Sequence, residues 1–182
     1  MSYRFILYIS AFILIYTSAT RIIKVSTDKF SELTYTNIRG VEKCSEIDFY
    51  KSFTGNSFDD ICNTIDTISD WVDSSKKLAY KGALLMKKAS FLKVPAQKLK
   101  TFKEGRKLLE NEIKNYPENI EYRFLRLVIQ ENAPEILKYN LNLFQDNDLI
   151  ITNFTSLDQD LRNEILNYSK NSEYLNKDLL TN

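Results

Sequence analysis

Apolar residues along most of this chain recur every three or four positions, the spacing of a helix that buries one face. Phe30, Leu33, Ile38 and Val41 form a first, weak stripe. Phe58, Ile61, Ile65, Ile68 and Val72 keep the spacing closely, with Ser57 as N-cap and Asp60 three residues on. From Ser74, a second N-cap, a long helix is predicted with Leu78, Gly82, Leu85, Ala89 and Leu92 on one side, widened by Ala79, Ala83 and Met86. Small residues on that side permit close approach of a neighbouring helix. Leu99, Phe102, Gly105, Leu109, Ile113 and Tyr116 make the next face, and Ile120, Phe124, Leu125, Leu127, Val128 and Ile129 leave the following helix little polar surface. Such a helix belongs at the centre of the fold.

The remaining elements are shorter. "APEILKY" reads as a brief helix, Asp146 or Asp148 as the start of one running through "LIITNF", and Ser156 with Gln159 as a capping box ahead of Leu157, Leu161, Ile165 and Tyr168. Pro95, Pro117 and Pro134 fall at junctions, where first-turn N–H groups lack helical partners and a proline costs nothing. No stretch alternates like a strand. The pattern predicts an all-α fold of antiparallel hairpins, a bundle or short solenoid, ending in a polar tail.

Gly105, Leu109, Glu112 and Pro117 stand at the spacings of a tetratricopeptide second helix, and Gly82 sits in a plausible first helix, "LAYKGALLMKKASF". The chain therefore resembles one tetratricopeptide unit over residues 74–118. It departs from the pattern where Glu112 replaces a small residue and where the connection through "FLKVPAQK" is longer than a regular repeat allows. No second copy is evident. Residues 79–139 also look like a group of exported bacterial helical proteins, a likeness that carries no activity with it.

The ends change the picture. A short basic start, the apolar run "FILYISAFILIY" and the small residues Thr17 and Ala19 follow the layout of a secretory leader, with cleavage expected after Ala19. The rival reading is a retained anchor, although the run is shorter than the about 20 apolar residues a spanning helix needs. The expected organisation is a signal peptide over 1–19, a single helical domain over 20–174 and a flexible tail over 175–182. The expected destination is the periplasm or the extracellular space. The chain holds 25 Lys+Arg against 24 Asp+Glu, and loss of the leader removes Arg4, so overall charge offers no reason to expect nucleic acid.

Composition narrows the chemistry. Without histidine there is no Ser–His or Cys–His pair and no imidazole metal site. Four scattered glycines cannot build a phosphate cradle, and the two cysteines form no CxxC motif. No catalytic residue, cofactor or metal is assigned. Cys44 and Cys62 lie on two short helices joined through Thr54–Gly55–Asn56, which folds one back towards the other. They read either as a disulfide contributing about 3 kcal/mol or as two buried thiols.

Charge is uneven. Lys76 to Lys107 holds eleven basic residues and one acidic residue, Glu104. Lys77, Lys81 and Lys88 share a face of one helix, and Lys100, Lys103 and Lys107 share a face of the next. These faces suit an anionic partner, either a protein carboxylate, a glycan or lipid headgroups; the plainer reading is a solvated surface. Arg123 and Arg126 interrupt the most apolar helix, and a buried arginine demands a partner. Structural pairing with Glu118, Glu121 or a residue of another helix competes with anchoring of an anionic ligand. Glu110 and Glu112 point to different sides of one helix, while Asp59–Asp60 and "DND" (Asp146 to Asp148) read as helix-start residues. Asn153 and Asn167 head sequons, which occur often by chance.

The functional expectation is a non-catalytic protein that binds a protein partner at the cell envelope, a monomer by default. Membrane contact would come only through an uncleaved leader or the basic face. A hydrolase built on paired carboxylates, or a protein held on anionic surfaces by its basic face, are the alternatives.

Overall fold

The computed structural model describes residues 48–180. The leader, the first apolar stripe and Cys44 lie outside them. The described residues belong to one compact unit.

Every regular element among the described residues is helical. They are α1 (residues 48–54), α2 (Phe58–Ser69), α3 (Ser75–Phe91), α4 (Pro95–Asn115), α5 (Ile120–Asn132), α6 (Leu143–Asn153), α7 (Gln159–Ser169) and α8 (Lys177–Leu180), with single 3-10 turns at Glu135–Leu137 and Phe154–Ser156. Local chemistry sets the starts. Ser57 accepts the Asp60 N–H, Ser74 accepts that of Lys77 and Asn119 accepts that of Tyr122, each satisfying a donor the helix cannot. Pro95 opens α4. The cap of α7 is Asp158 rather than the expected Ser156, because Ser156 closes the preceding 3-10 turn and donates to the Asn153 carbonyl instead.

The hairpin of α3 and α4 is the main packing event. Its connection is only residues 92–94, so the extra length expected in the loop is taken up as helix. The two helices run antiparallel and cross at Gly82 and Gly105. A Cβ on Gly105 would stand 2.5 Å from the Gly82 carbonyl oxygen, and one on Gly82 would stand 2.8 Å from that of Gly105. Backbone therefore lies on backbone, as the small residues in the pattern anticipate. Glu112, which departs from the tetratricopeptide pattern, is buried further along the same hairpin, two turns from this crossing. It accepts from the Ser75 hydroxyl at 2.5 Å, and Ser75 in turn accepts from the Tyr122 hydroxyl at 3.0 Å, so the misfit residue is absorbed as a hydrogen-bonded network across three helices.

Helix α5 is the central element. Residues 124–130 are buried without interruption, which a helix achieves only when neighbours cover it on most sides. Helix α1 closes one side with aromatics: Phe49 stacks on Tyr80 at 3.7 Å, and Tyr50 packs against Phe124. Glu121 joins these layers by accepting from the hydroxyls of Tyr50 (2.8 Å) and Tyr80 (2.5 Å).

The C-terminal segment, expected from its sequence as a polar tail, carries Leu175 and Leu180 as buried residues, with α8 ending at the second. Glu131 of α5 accepts from Tyr168 and Ser172 hydroxyls and from the Glu173 N–H, while Ser172 caps the N–H groups of Tyr174 and Leu175.

Candidate functional site: a cationic pocket over a buried ion cluster

Arg126 reaches the interior because α5 has no exposed side wide enough to release it. Its side chain is 4% exposed and ties α5 to both α4 and α6. The Nε and Nη2 edge donates to both oxygens of Asp146, each at 2.7 Å, and Nη1 donates to Glu110 at 2.9 Å. This bidentate geometry is the strong form of an arginine–carboxylate pair. Arg123 adds a 3.3 Å contact to Asp146 and donates to the Pro117 carbonyl, closing the α4–α5 turn. Burial works against the charge of Arg126, but the bonds and charges of Asp146 and Glu110 outweigh it and hold the guanidinium more firmly protonated than usual.

The expected partners Glu118 and Glu121 are not used. Glu118 is exposed and Glu121 serves Tyr50, Tyr80 and Lys76. The partner is a residue of another helix, Asp146, which the sequence reading placed at a helix start. It does lie in the first turn of α6, as its fourth residue, but it is fully buried, because Leu143, Asp146 and Ile150 share the face that packs on α5. An aspartate on an apolar stripe opposite an arginine on another is the signal that could have found the pair.

The cluster continues outward. Glu110 also accepts from the Tyr139 hydroxyl at 2.6 Å, and the Tyr139 ring packs edge-on against Phe102 and under the Arg106 guanidinium at 4.7 Å. Tyr139 is turned inward by Lys138, which adopts the left-handed conformation (φ 47°), rare for a residue with a side chain. Around this connection Ile136 and Leu141, and Phe144 at the start of α6, are 88%, 86% and 76% exposed. Beside it, Lys103, Arg106, Lys107, Glu110, Asn111 and Asn142 line an open pocket of about 460 Å³. Asn142 is oriented by Gln130, whose amide donates to its side-chain oxygen at 3.3 Å.

Burial raises the Tyr139 hydroxyl well above the ordinary phenol range, and the charge and hydrogen bond of Glu110 add to it, with Arg126 and Arg106 pulling back. An unfolded phenol ionises near about pH 10. The folded one keeps its proton there, so the unfolded state binds fewer protons and stability falls as pH rises beyond that point. Tyr139→Phe keeps the ring and removes the titration. Above about pH 10.5 the wild-type protein is expected to lose stability more steeply than the variant, by about 1.4 kcal/mol per pH unit. Urea unfolding across alkaline pH measures this, and parallel slopes would mean that Tyr139 is not held protonated.

The α3 lysines do not join this locus. Lys77 is drawn back to the Trp71 carbonyl (2.8 Å) and to Asp73 (2.9 Å), Lys81 is half-buried, and Lys88 lies over the Phe58 ring at 5.7 Å. Lys100, Lys103 and Lys107 of α4 extend on a more exposed helix. Cys62 is a free, half-buried thiol on α2, and its expected partner Cys44 lies outside the described residues. Among the described residues no group of three or more His, Cys, Asp or Glu is placed to hold a metal, and no helix is long and apolar enough to cross a membrane.

Fold and site together define an all-α helical protein with a charged core cluster opening onto a cationic pocket. Comparison with known proteins yields no match among family models, curated proteins or solved structures.

Proposed function

We propose that this is an exported, non-catalytic binding module of the cell envelope, and that the α4 flank with the α5–α6 connection docks a protein partner. The observation that carries the reading is the exposure of Ile136, Leu141 and Phe144, three large apolar side chains within nine residues, with the Phe144 ring also edge-on to Tyr174. Clustered apolar exposure of this kind marks interaction surfaces. Basic side chains rim it from α4, so the fitting partner presents apolar residues interleaved with acids.

The carboxylates argue for binding over hydrolysis. Glu110, Glu112, Glu121, Glu131 and Asp146 are each engaged by arginine, tyrosine or serine, whereas general acid and base work needs a pair facing substrate. The α3–α4 hairpin, crossing at small residues, supports the likeness to a single tetratricopeptide unit that serves as scaffold. A concave pocket with amide donors favours a protein segment over a flat lipid surface.

A photo-crosslinking amino acid at Ile136 or Phe144, with the protein expressed in its native host, tests this. A discrete adduct is expected from both positions, absent from a control at exposed Asp66 and lost when Lys103 and Lys107 are reversed to Glu. Equal labelling at Asp66, or salt-sensitive binding to anionic vesicles without any protein adduct, would refute the reading and assign the face to non-specific or lipid contact.

A further inference from the structure

We propose that the pocket lined by Lys103, Arg106, Lys107, Asn111 and Asn142, with the carboxylate of Glu110 at its edge, is a site for a single anionic group, a carboxylate or an inorganic oxyanion. The proposal deepens the docking reading above, but the site itself rests on its own geometry. Lys103, Arg106 and Lys107 stand three and four residues apart, hence on one face of α4, and all three are exposed.

The carboxylate that would neutralise them is withdrawn. Glu110 lies next along the same face, yet one oxygen is held by Arg126 and the other by the Tyr139 hydroxyl. The cluster behind the pocket therefore leaves an excess of positive charge at its mouth. Arg106 is steadied there by the Tyr139 ring. This matters because a cation already ordered loses less freedom on binding than a loose lysine does. Asn142 adds an amide to the lining: its side-chain oxygen accepts from Gln130, which leaves its Nδ2 group as the available donor. Ammonium, guanidinium and amide donors lining one concavity are what an anion requires. Lys98 and Lys100, on the same helix without such backing, should not form a site.

The probe is inorganic sulfate, exchanged for chloride at constant ionic strength and followed by NMR on the full domain. The expected result is a saturable shift of the Asn111 and Asn142 side-chain amides and of the Arg106 Nε–H. Lys103→Gln with Lys107→Gln should weaken it by roughly tenfold or more, while Lys98→Gln with Lys100→Gln leaves it unchanged. Linear, unsaturated shifts, or equal losses in both double variants, would overturn the proposal. A second arm adds a blocked peptide with one aspartate among apolar residues. Competition with sulfate identifies a protein carboxylate as the ligand. Sulfate binding without competition keeps the anion site, assigns it to a free oxyanion and removes support from the docking reading. Crosslinking at Ile136 with no saturable sulfate binding does the reverse.

Discussion

Gly105→Ala is expected to destabilise the domain by about 3 kcal/mol, although alanine is the better helix former by about 1 kcal/mol. The conflict between these two effects makes the substitution informative. A methyl group on Gly105 would meet the Gly82 carbonyl oxygen at 2.5 Å, the Met86 amide nitrogen at 2.8 Å and the Leu85 Cβ at 2.9 Å. None of these is the free end of a side chain, so no rotamer change relieves the overlap. The helices must separate, and every contact along α3 and α4 loosens with them. For a protein of this size the loss corresponds to a fall in Tm of roughly 10 °C. The reciprocal Gly82→Ala meets backbone at 2.8 Å on two atoms and should behave alike. Thermal and urea unfolding decide the matter. A Gly105→Ala protein as stable as wild type would show that the backbones do not touch.

Asp146→Ala should cost about 4 kcal/mol, the range for removing one partner of a buried ion pair. The loss is not that of two hydrogen bonds alone. Arg126 would keep a single bond to Glu110 while its Nε and Nη2 edge faced an apolar gap between α5 and α6. Arg123 would lose its contact to the same carboxylate. Removing both partners tests the cause. In Arg126→Leu with Asp146→Leu no charge is stranded, and the double variant should be clearly more stable than Asp146→Ala. If it is equally damaged, the residues matter by shape and the electrostatic account fails.

Much of this architecture was legible in the pattern of residues. Ser57 and Ser74 cap the helices they were expected to cap, Pro95 opens one, and the apolar run after Pro117 lies at the centre. These features depend on neighbours a few positions apart. The less legible ones have another origin. Asp158 displaced Ser156 as a cap because a 3-10 turn consumed the serine first. Lys77, read as an outward charge, was recaptured by Asp73 and the Trp71 carbonyl. The tail was read from its polar majority, whereas Leu175 and Leu180 are buried.

The candidate site was half visible. Arg123 and Arg126 were conspicuous as charges inside an apolar helix, and the excess of lysine on α4 was plain. Their relation was not, since Glu110 and Asp146 lie 16 and 20 positions from Arg126. Tyr139 and Asn142 were unmarked residues of a connection, and nothing in their spacing announces that one plugs the interior while the other faces a pocket.

By itself the amino-acid sequence determined that the described chain is helical, where most of its helices begin, and that two small residues permit one close crossing. Those outcomes follow from periodicity, capping and propensity, which act within a turn or two of backbone. Only the tertiary structure decided which carboxylate met which arginine, which lysines stayed free, and which apolar side chains were left in water. Each of those depends on how one helix is rotated against another, and that rotation is set by packing of the whole core.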